Sequence, residues 1–215
     1  MVPLFNEAAV IESVVKAALS VFPHIVCVDD GSSDDSAARA LAAGAVVLRH
    51  PINLGQGAAL QTGIDFALAQ PDCDYIVTFD ADGQHLVSDA QAMVRRLATE
   101  PLDVVLGSRF LDGRTRVGWS KRLVLRIAVF FERASSGIHL TDAHNGLRAF
   151  TREAAGRIEI TQNRMAHASE IVNEIGKQKL RYAEQPVKVV YSAYSKAKGQ
   201  SLWNSINILA DLFLN

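Results

Sequence analysis

Acids sit behind apolar runs at three places in this 215-residue chain, and their spacing suggests cation chemistry. Asp80-Ala81-Asp82-Gly83-Gln84 follows Tyr75–Phe79, Asp29-Asp30-Gly31-Ser32 follows His24–Val28, and Glu7 follows Pro3-Leu4-Phe5-Asn6. Carboxylates two residues apart at a strand end point the same way. A hard divalent cation takes such oxygens and completes its shell with phosphate oxygens and water. A capped turn is the alternative for Asp-Ala-Asp taken alone. Asn53-Leu54-Gly55-Gln56-Gly57-Ala58 opens a helical segment, where bare backbone can approach a phosphate or a sugar. It is not a dinucleotide fingerprint, because Leu60 stands where a third glycine belongs, and a plain helix start is its simpler reading.

These groups need a scaffold that collects strand ends, and the rest of the pattern supplies one. Strand-length apolar runs alternate with segments of helical period, which predicts an α/β fold with a largely parallel sheet. Strands are expected at His24–Asp29, Ala45–Arg49, Tyr75–Phe79 and Asp103–Leu106. Between them, Asn6 is expected to cap a helix with Val10, Ile11, Val14, Val15, Ala18 and Leu19 on one face. Further helices are expected from Ser33 or Asp34 through Leu41, from Gly57 to Ala69, and from a Ser88 cap to about Thr99. Only Met1 and Val2 precede Pro3 in the first strand, which suggests a few residues missing before it.

Composition narrows the partners. Lys and Arg number 22 against 23 Asp and Glu, so no net field draws a polyanion, and nucleic acid is not expected. Charge is nevertheless segregated: acids dominate Asp72–Asp103, while bases dominate Arg109–Arg133 and Lys177–Lys198. One lobe could hold a cation and the other phosphates. Cys27 and Cys73 form neither a disulfide framework nor a metal knuckle, and read as inert thiols. With no leader and no apolar run near the ~20 residues a bilayer span needs, a reducing, cytoplasmic setting is expected.

The order Pro-Leu-Phe-Asn-Glu, Val-Asp-Asp-Gly-Ser-Ser-Asp, Asn-Leu-Gly-Gln-Gly and Phe-Asp-Ala-Asp-Gly-Gln-His resembles the family 2 glycosyltransferases of GT-A fold. Within them it looks most like the polyprenyl-phosphate sugar synthases, the branch of dolichol-phosphate mannose synthase. The likeness continues through Gly107-Ser108-Arg109 and Asp142-Ala-His-Asn-Gly146-Leu-Arg148. It implies a single GT-A (Rossmann-like) α/β domain over 1–215, with a donor half at 1–106 and an acceptor half at 107–215. The expected reaction moves a sugar, with inversion, from a UDP- or GDP-sugar to a polyprenyl phosphate or lipid-linked glycan. By the same resemblance Pro3, Asn6 and Glu7 line the nucleotide pocket, Asp30 contacts the base with Asp29 nearby, and Gly55, Gly57 and Ala81 complete the donor side. Asp80 and Asp82 would hold Mg²⁺ or Mn²⁺ against the diphosphate, joined by Gln84. Arg109 and Arg148 match arginines placed towards the acceptor or its phosphate. Lys196 and Lys198, in Tyr194-Ser-Lys-Ala-Lys-Gly-Gln-Ser201, roughly resemble a Ser-Lys segment with the same role.

Leaving-group charge grows as the glycosidic bond breaks, and a cation with nearby Lys or Arg stabilises it most in the transition state. A sugar hydroxyl needs a general base, for which Asp142 is the candidate. A phosphate arrives ionised, and Asp142 would then merely orient Arg148. His85 could touch the diphosphate or serve structurally. His144 and His167 could face the acceptor, and Glu170, on a helix with Ile171 and Ile175, could bind it. The chain lacks the paired transmembrane helices of membrane-bound relatives. Residues 119 to 135 instead place Trp119, Leu123, Val124, Ile127, Phe130, Phe131 and Ala134 within an arc of about 140°, bordered by Arg122, Arg126 and Arg133. An interfacial helix reaching a membrane-borne acceptor is therefore expected, the alternative being a helix packed on the sheet, with a C-terminal helix at about 201–214 beside it. The competing readings are a soluble enzyme acting on a saccharide hydroxyl, a sugar-phosphate nucleotidyltransferase and an inactive nucleotide-binding module.

Overall fold

The computed structural model describes residues 1–113, 137–142, 145–164, 166–191 and 194. The expected helices at 119–135 and about 201–214 lie outside the described residues, as do His144, Lys196 and Lys198.

Strands β1 (Val2–Leu4), β2 (Val26–Asp29) and β3 (Val46–Arg49) pair in parallel in that order. A second group runs β4 (Tyr75–Thr78), β6 (Arg148–Thr151), β5 (Val104–Ser108), β7 (Tyr182–Pro186). Here β6 is antiparallel to both neighbours, while β5 and β7 are parallel. Met1 joins the two groups: its nitrogen donates to Val77 O at 2.6 Å, and its carbonyl accepts from Phe79 N at 3.1 Å. Those are the two bonds of a parallel pair, so the strands run 3-2-1-4-6-5-7 with only β6 reversed.

Helices α1 (Ile11–Leu19), α2 (Ser36–Ala42), α3 (Gln56–Leu68), α4 (Val87–Thr99), α5 (Arg152–Ala155) and α6 (His167–Lys177) cover the sheet. Strand alternation divides the core into two layers. Val105 and Ala149 face Val15, Met93 and Leu97 of α1 and α4. Val104, Leu106 and Phe150 face Ile64, Ile171 and Ile175 of α3 and α6. Strands buried on both faces explain why the sequence there reads as unbroken apolar runs. Burial also pushes the Cys27 thiol up to about 12, so it is packing, not a nucleophile.

Two expected caps are corrected. Helix α1 begins at Ile11 after Val10 with no side-chain cap; Asn6 sits in the left-handed region at φ 53° and its Oδ1 accepts from Ser33 N at 2.9 Å. Helix α4 starts one residue before Ser88, with Leu86 at the cap position and no side-chain bond there. Strands β6 and β7 were not expected. Strand β6 opens on a buried arginine, and β7 (Tyr-Ala-Glu-Gln-Pro) is a half-buried edge strand without an apolar run.

Candidate active site

A cavity of about 400 Å³ opens where β1, β2 and β4 end. The first strand and its turn contribute Pro3, Leu4, Phe5 and Glu7; β2 is followed by Asp30; the α3 approach gives Asn53, Gly55, Gln56 and Ala59; and β4 delivers Asp80, Ala81 and Asp82. Strand ends collect functional groups here because each parallel strand releases its chain at the same edge.

Asp80 Oδ2 meets His85 Nε2 at 2.8 Å, and Gln56 Nε2 lies 3.5 Å from Oδ1. Burial pushes the Asp80 carboxyl up, but the hydrogen bond to His85, with the charge of Arg148, outweighs it and holds Asp80 below the usual range. Asp82 behaves oppositely: burial first, then the Asp80 charge, push it up, although Gln84 donates from its backbone at 3.0 Å and its side-chain nitrogen at 2.5 Å. Two hard-oxygen ligands that repel each other across one cavity suit a divalent ion, which would relieve that repulsion. Among the described residues no group of three His, Cys, Asp or Glu gathers into a cage. A cation held by this pair would therefore take further oxygens from its substrate.

Asp30 is tied into the wall. Its Oδ1 accepts from His50 Nδ1 at 2.7 Å and Leu54 N at 2.9 Å, and its Oδ2 from Gly55 N at 2.8 Å. Asp29 is fully buried, ion-paired with Arg49 at 3.0 Å and accepting from Ser32 N, and it does not line the cavity. Asn6 and Gly57 do not line it either. Both glycines are also required by packing, and Gly55 lines the cavity as well. A Cβ at Gly55 or Gly57 would strike the backbone of Asn163 or Gln162, and Gly57 N already donates to Asn163 O at 2.8 Å. The first amides of α3 are thus spent within the protein, and the bare backbone serves close packing of its own chain.

Of the two arginines, Arg148 opens β6 and Arg109 follows β5 beyond it. Arg109 grips Asp142 in a two-point pair, Nε to Oδ2 at 2.6 Å and Nη2 to Oδ1 at 2.7 Å, with its backbone N–H adding 3.1 Å to Oδ2. Burial opposes the Arg109 charge, yet Asp142 more than compensates and raises its pKa. Asp142 thus orients Arg109, and both its oxygens are engaged in that pair. Glu184 Oε1 fixes that turn, accepting from Thr141 N and Oγ1 at 2.8 Å each and from Asp142 N at 3.2 Å. Arg148 is buried on β6, donating to Ala168 O at 3.4 Å. His167 bonds Arg164 O at 2.6 Å, and burial followed by Arg148 lowers its pKa to about 4, so the ring is neutral. Glu170 clamps a turn, accepting from Thr161 N and Gln162 N, and does not line the cavity.

Three residues on this site were not singled out from sequence. Phe5 and Gln56 lay inside quoted motifs without a role assigned, and Phe5 is 44% exposed at the cavity. Tyr194 donates its hydroxyl to Glu7 Oε2 at 2.8 Å across 187 positions, a contact with no local signal.

With this geometry in place, comparison with known proteins defines the class: residues 1–158 match the model of glycosyl transferase family 2, and the chain belongs to that family. It is a glycosyltransferase, and polyprenyl-phosphate sugar transferases are among its relatives. An uncharacterized protein of Methanocaldococcus jannaschii is 36% identical over 221 residues, covering 100% of this chain and 90% of that one. The UDP-N-acetylglucosamine–dolichyl-phosphate N-acetylglucosaminyltransferase of Methanococcus voltae is 27% identical, covering 100% and 94%. The polyprenol monophosphomannose synthase of Mycolicibacterium smegmatis is 29% identical over 75% of this chain and 64% of its own. In fold the chain is similar to glucosyl-3-phosphoglycerate synthase of Mycobacterium tuberculosis, solved in complex with Mg²⁺ and uridine diphosphate: TM-score 0.75, 21% identity, 99% of this chain and 76% of that one.

Proposed function

We propose that this glycosyltransferase moves a sugar, with inversion, from a nucleotide-diphosphate sugar to a polyprenyl phosphate or a lipid-linked glycan. The observation that carries the donor half is one cavity holding Asp80 and Asp82 together with Asp30 and the exposed ring of Phe5. Phe5 offers a face to a nucleobase. A carboxylate has about four lone-pair sites, and Asp30 spends three on the protein, leaving one for a base N–H. Asp80 and Asp82 would hold Mg²⁺ or Mn²⁺, which supplies positive charge to the diphosphate leaving group. Asp80 stays ionised because His85 and Arg148 hold it so. The structural relative bound to Mg²⁺ and uridine diphosphate fits this reading.

The state of Asp142 favours a phosphate acceptor. A hydroxyl acceptor needs a base to take its proton, whereas a phosphate brings its own negative charge. Asp142 is committed to Arg109, and Arg109 is held charged, ready to position an anion. The relative acting on dolichyl phosphate supports the same class. Such an acceptor would bring the protein to a membrane surface at least transiently. No helix among the described residues is long and apolar enough to cross one. The test is a panel of UDP- and GDP-sugars with Mn²⁺ and a short polyprenyl phosphate, followed by NMR of the anomeric proton. An α-linked donor is expected to give a β-linked sugar phosphate; a retained configuration, or transfer only to free saccharide hydroxyls, overturns the reading.

A further inference from the structure

We infer that His50 is a positioning residue of the donor site, holding Asp30 so that its one remaining acceptor site faces the cavity; this rests on the donor reading above. His50 follows β3, and its backbone N–H donates to Asp29 O at 2.9 Å, so the ring starts from the end of the neighbouring strand. The ring lies between two groups, with Nδ1 2.7 Å from Asp30 Oδ1 and Nε2 3.0 Å from Thr62 Oγ1 on α3. The side chains of His50 and Asp30 are 11% and 4% exposed, so little water competes for their bond.

An ionised carboxylate only accepts, so Nδ1 carries the proton towards Asp30. In the neutral ring Nε2 is then an acceptor, and the Thr62 hydroxyl donates to it. The second bond stops the ring from turning over and fixes which nitrogen meets Asp30, as an outer partner fixes the tautomer of a ligating histidine. The chain of contacts continues inward. Asp30 bonds the amides of Leu54 and Gly55, and Gly55, at φ 106°, is the residue that turns the chain into α3. His50 therefore ties the end of β2, the end of β3 and the body of α3 to one carboxylate. Without it, Asp30 loses its side-chain partner and keeps one backbone donor on each oxygen, Leu54 N on Oδ1 and Gly55 N on Oδ2, so its orientation rests on those two amides alone.

Two substitutions separate positioning from mere filling of space. In His50→Asn the side-chain amide nitrogen takes the place of Nδ1 and keeps the bond to Asp30. In His50→Gln the amide reaches the place of Nε2, keeping Thr62 and losing Asp30. Loss of a hydrogen bond to a charged group predicts a rise of about tenfold in donor KM and in the Kd for UDP with Mn²⁺ for His50→Gln. His50→Asn should stay within about threefold, and kcat should change little in either, because the reacting atoms are untouched. Equal losses in both variants, or a fall in kcat at constant KM, overturn the inference. Hydrogen exchange of the Leu54 and Gly55 amides, measured without nucleotide, gives a readout independent of the donor. It should accelerate in His50→Gln and not in His50→Asn, and unchanged exchange in His50→Gln counts against the inference. If the wild type binds neither UDP nor GDP with Mn²⁺, the donor reading fails while the exchange comparison still decides the role of His50. Should both variants fail to fold, Thr62→Val decides: faster exchange at Leu54 and Gly55 supports the inference, and unchanged exchange overturns it.

Discussion

Asp82 and Asp142 are both acids beside chemistry-bearing arginine, histidine or carboxylate groups, yet the fold treats them oppositely. Asp82 stands at the open end of β4, where burial and the neighbouring Asp80 make its charge uncomfortable. Asp142 is closed on two oxygens by Arg109, in a turn that Glu184 holds from behind. A carboxylate kept under electrostatic tension at a cavity is available to a cation, whereas one neutralised by a fork of donors is a mount for its partner. The two regions differ accordingly: the sheet's first half leaves a carboxylate pair at a cavity, and the second half fixes the direction of an arginine.

The comparison breaks most visibly at Asp142. Replacing it with Ala leaves Arg109 largely buried without a carboxylate partner, and a loss of about 3–5 kcal/mol in unfolding free energy is expected. Urea unfolding checks this, and the Arg109→Met, Asp142→Leu double variant should recover part of the loss. A cost below about 1 kcal/mol would make the pair a surface contact in effect. At the other pole, Asp82→Asn should lower kcat/KM with Mn²⁺ by about a hundredfold or more, since one ligand to the leaving-group cation is lost. Its urea midpoint should not fall, because this carboxylate supports no packing.

A smaller effect sharpens the contrast. The Asp82 carboxyl is raised in the folded protein, so the native state binds more protons than the unfolded chain between the ordinary carboxylate pKa and the raised one. Stability contributed by this group therefore falls as pH rises through that window. Without divalent cation, Asp82→Asn should become more stable relative to wild type as pH climbs through it. Thermal melts at a series of pH values check the sign, and saturating Mn²⁺ with UDP should reverse the order by stabilising only the wild type.

The fold's first half was legible because each element repeats a simple period. Buried parallel strands show as apolar runs, and α1 and α3 follow them at helical spacing. The cavity acids were legible for the same reason, since strand ends are where such runs stop. Three things were not. Strand β6 runs backwards through the sheet and begins with Arg148, a buried charge that acts on Asp80, a group distant in sequence. Gly55 and Gly57 looked like phosphate glycines because the same lack of a side chain also serves close packing, here against residues 162 and 163. The partner of Asp142 could not be inferred from spacing, as Arg109 and Arg148 are both nearby in the pattern and only the turn geometry selects one.

The approach of the turn into β6 to Asp80 limits what variation this enzyme can tolerate. Gly146 precedes β6 with its bare α-carbon against Asp80, so a Cβ there would overlap the carboxylate itself. A library randomised at position 146 should return glycine almost alone under selection for transfer. Ser108, deeper in the sheet, is fixed as well, its hydroxyl meeting that of Thr141 at 2.6 Å and accepting from Phe110 N at 3.2 Å. Attempts to retune this scaffold for new donors or acceptors would do well to leave the turn into β6 untouched and mutate the walls contributed by Phe5 and Gln56.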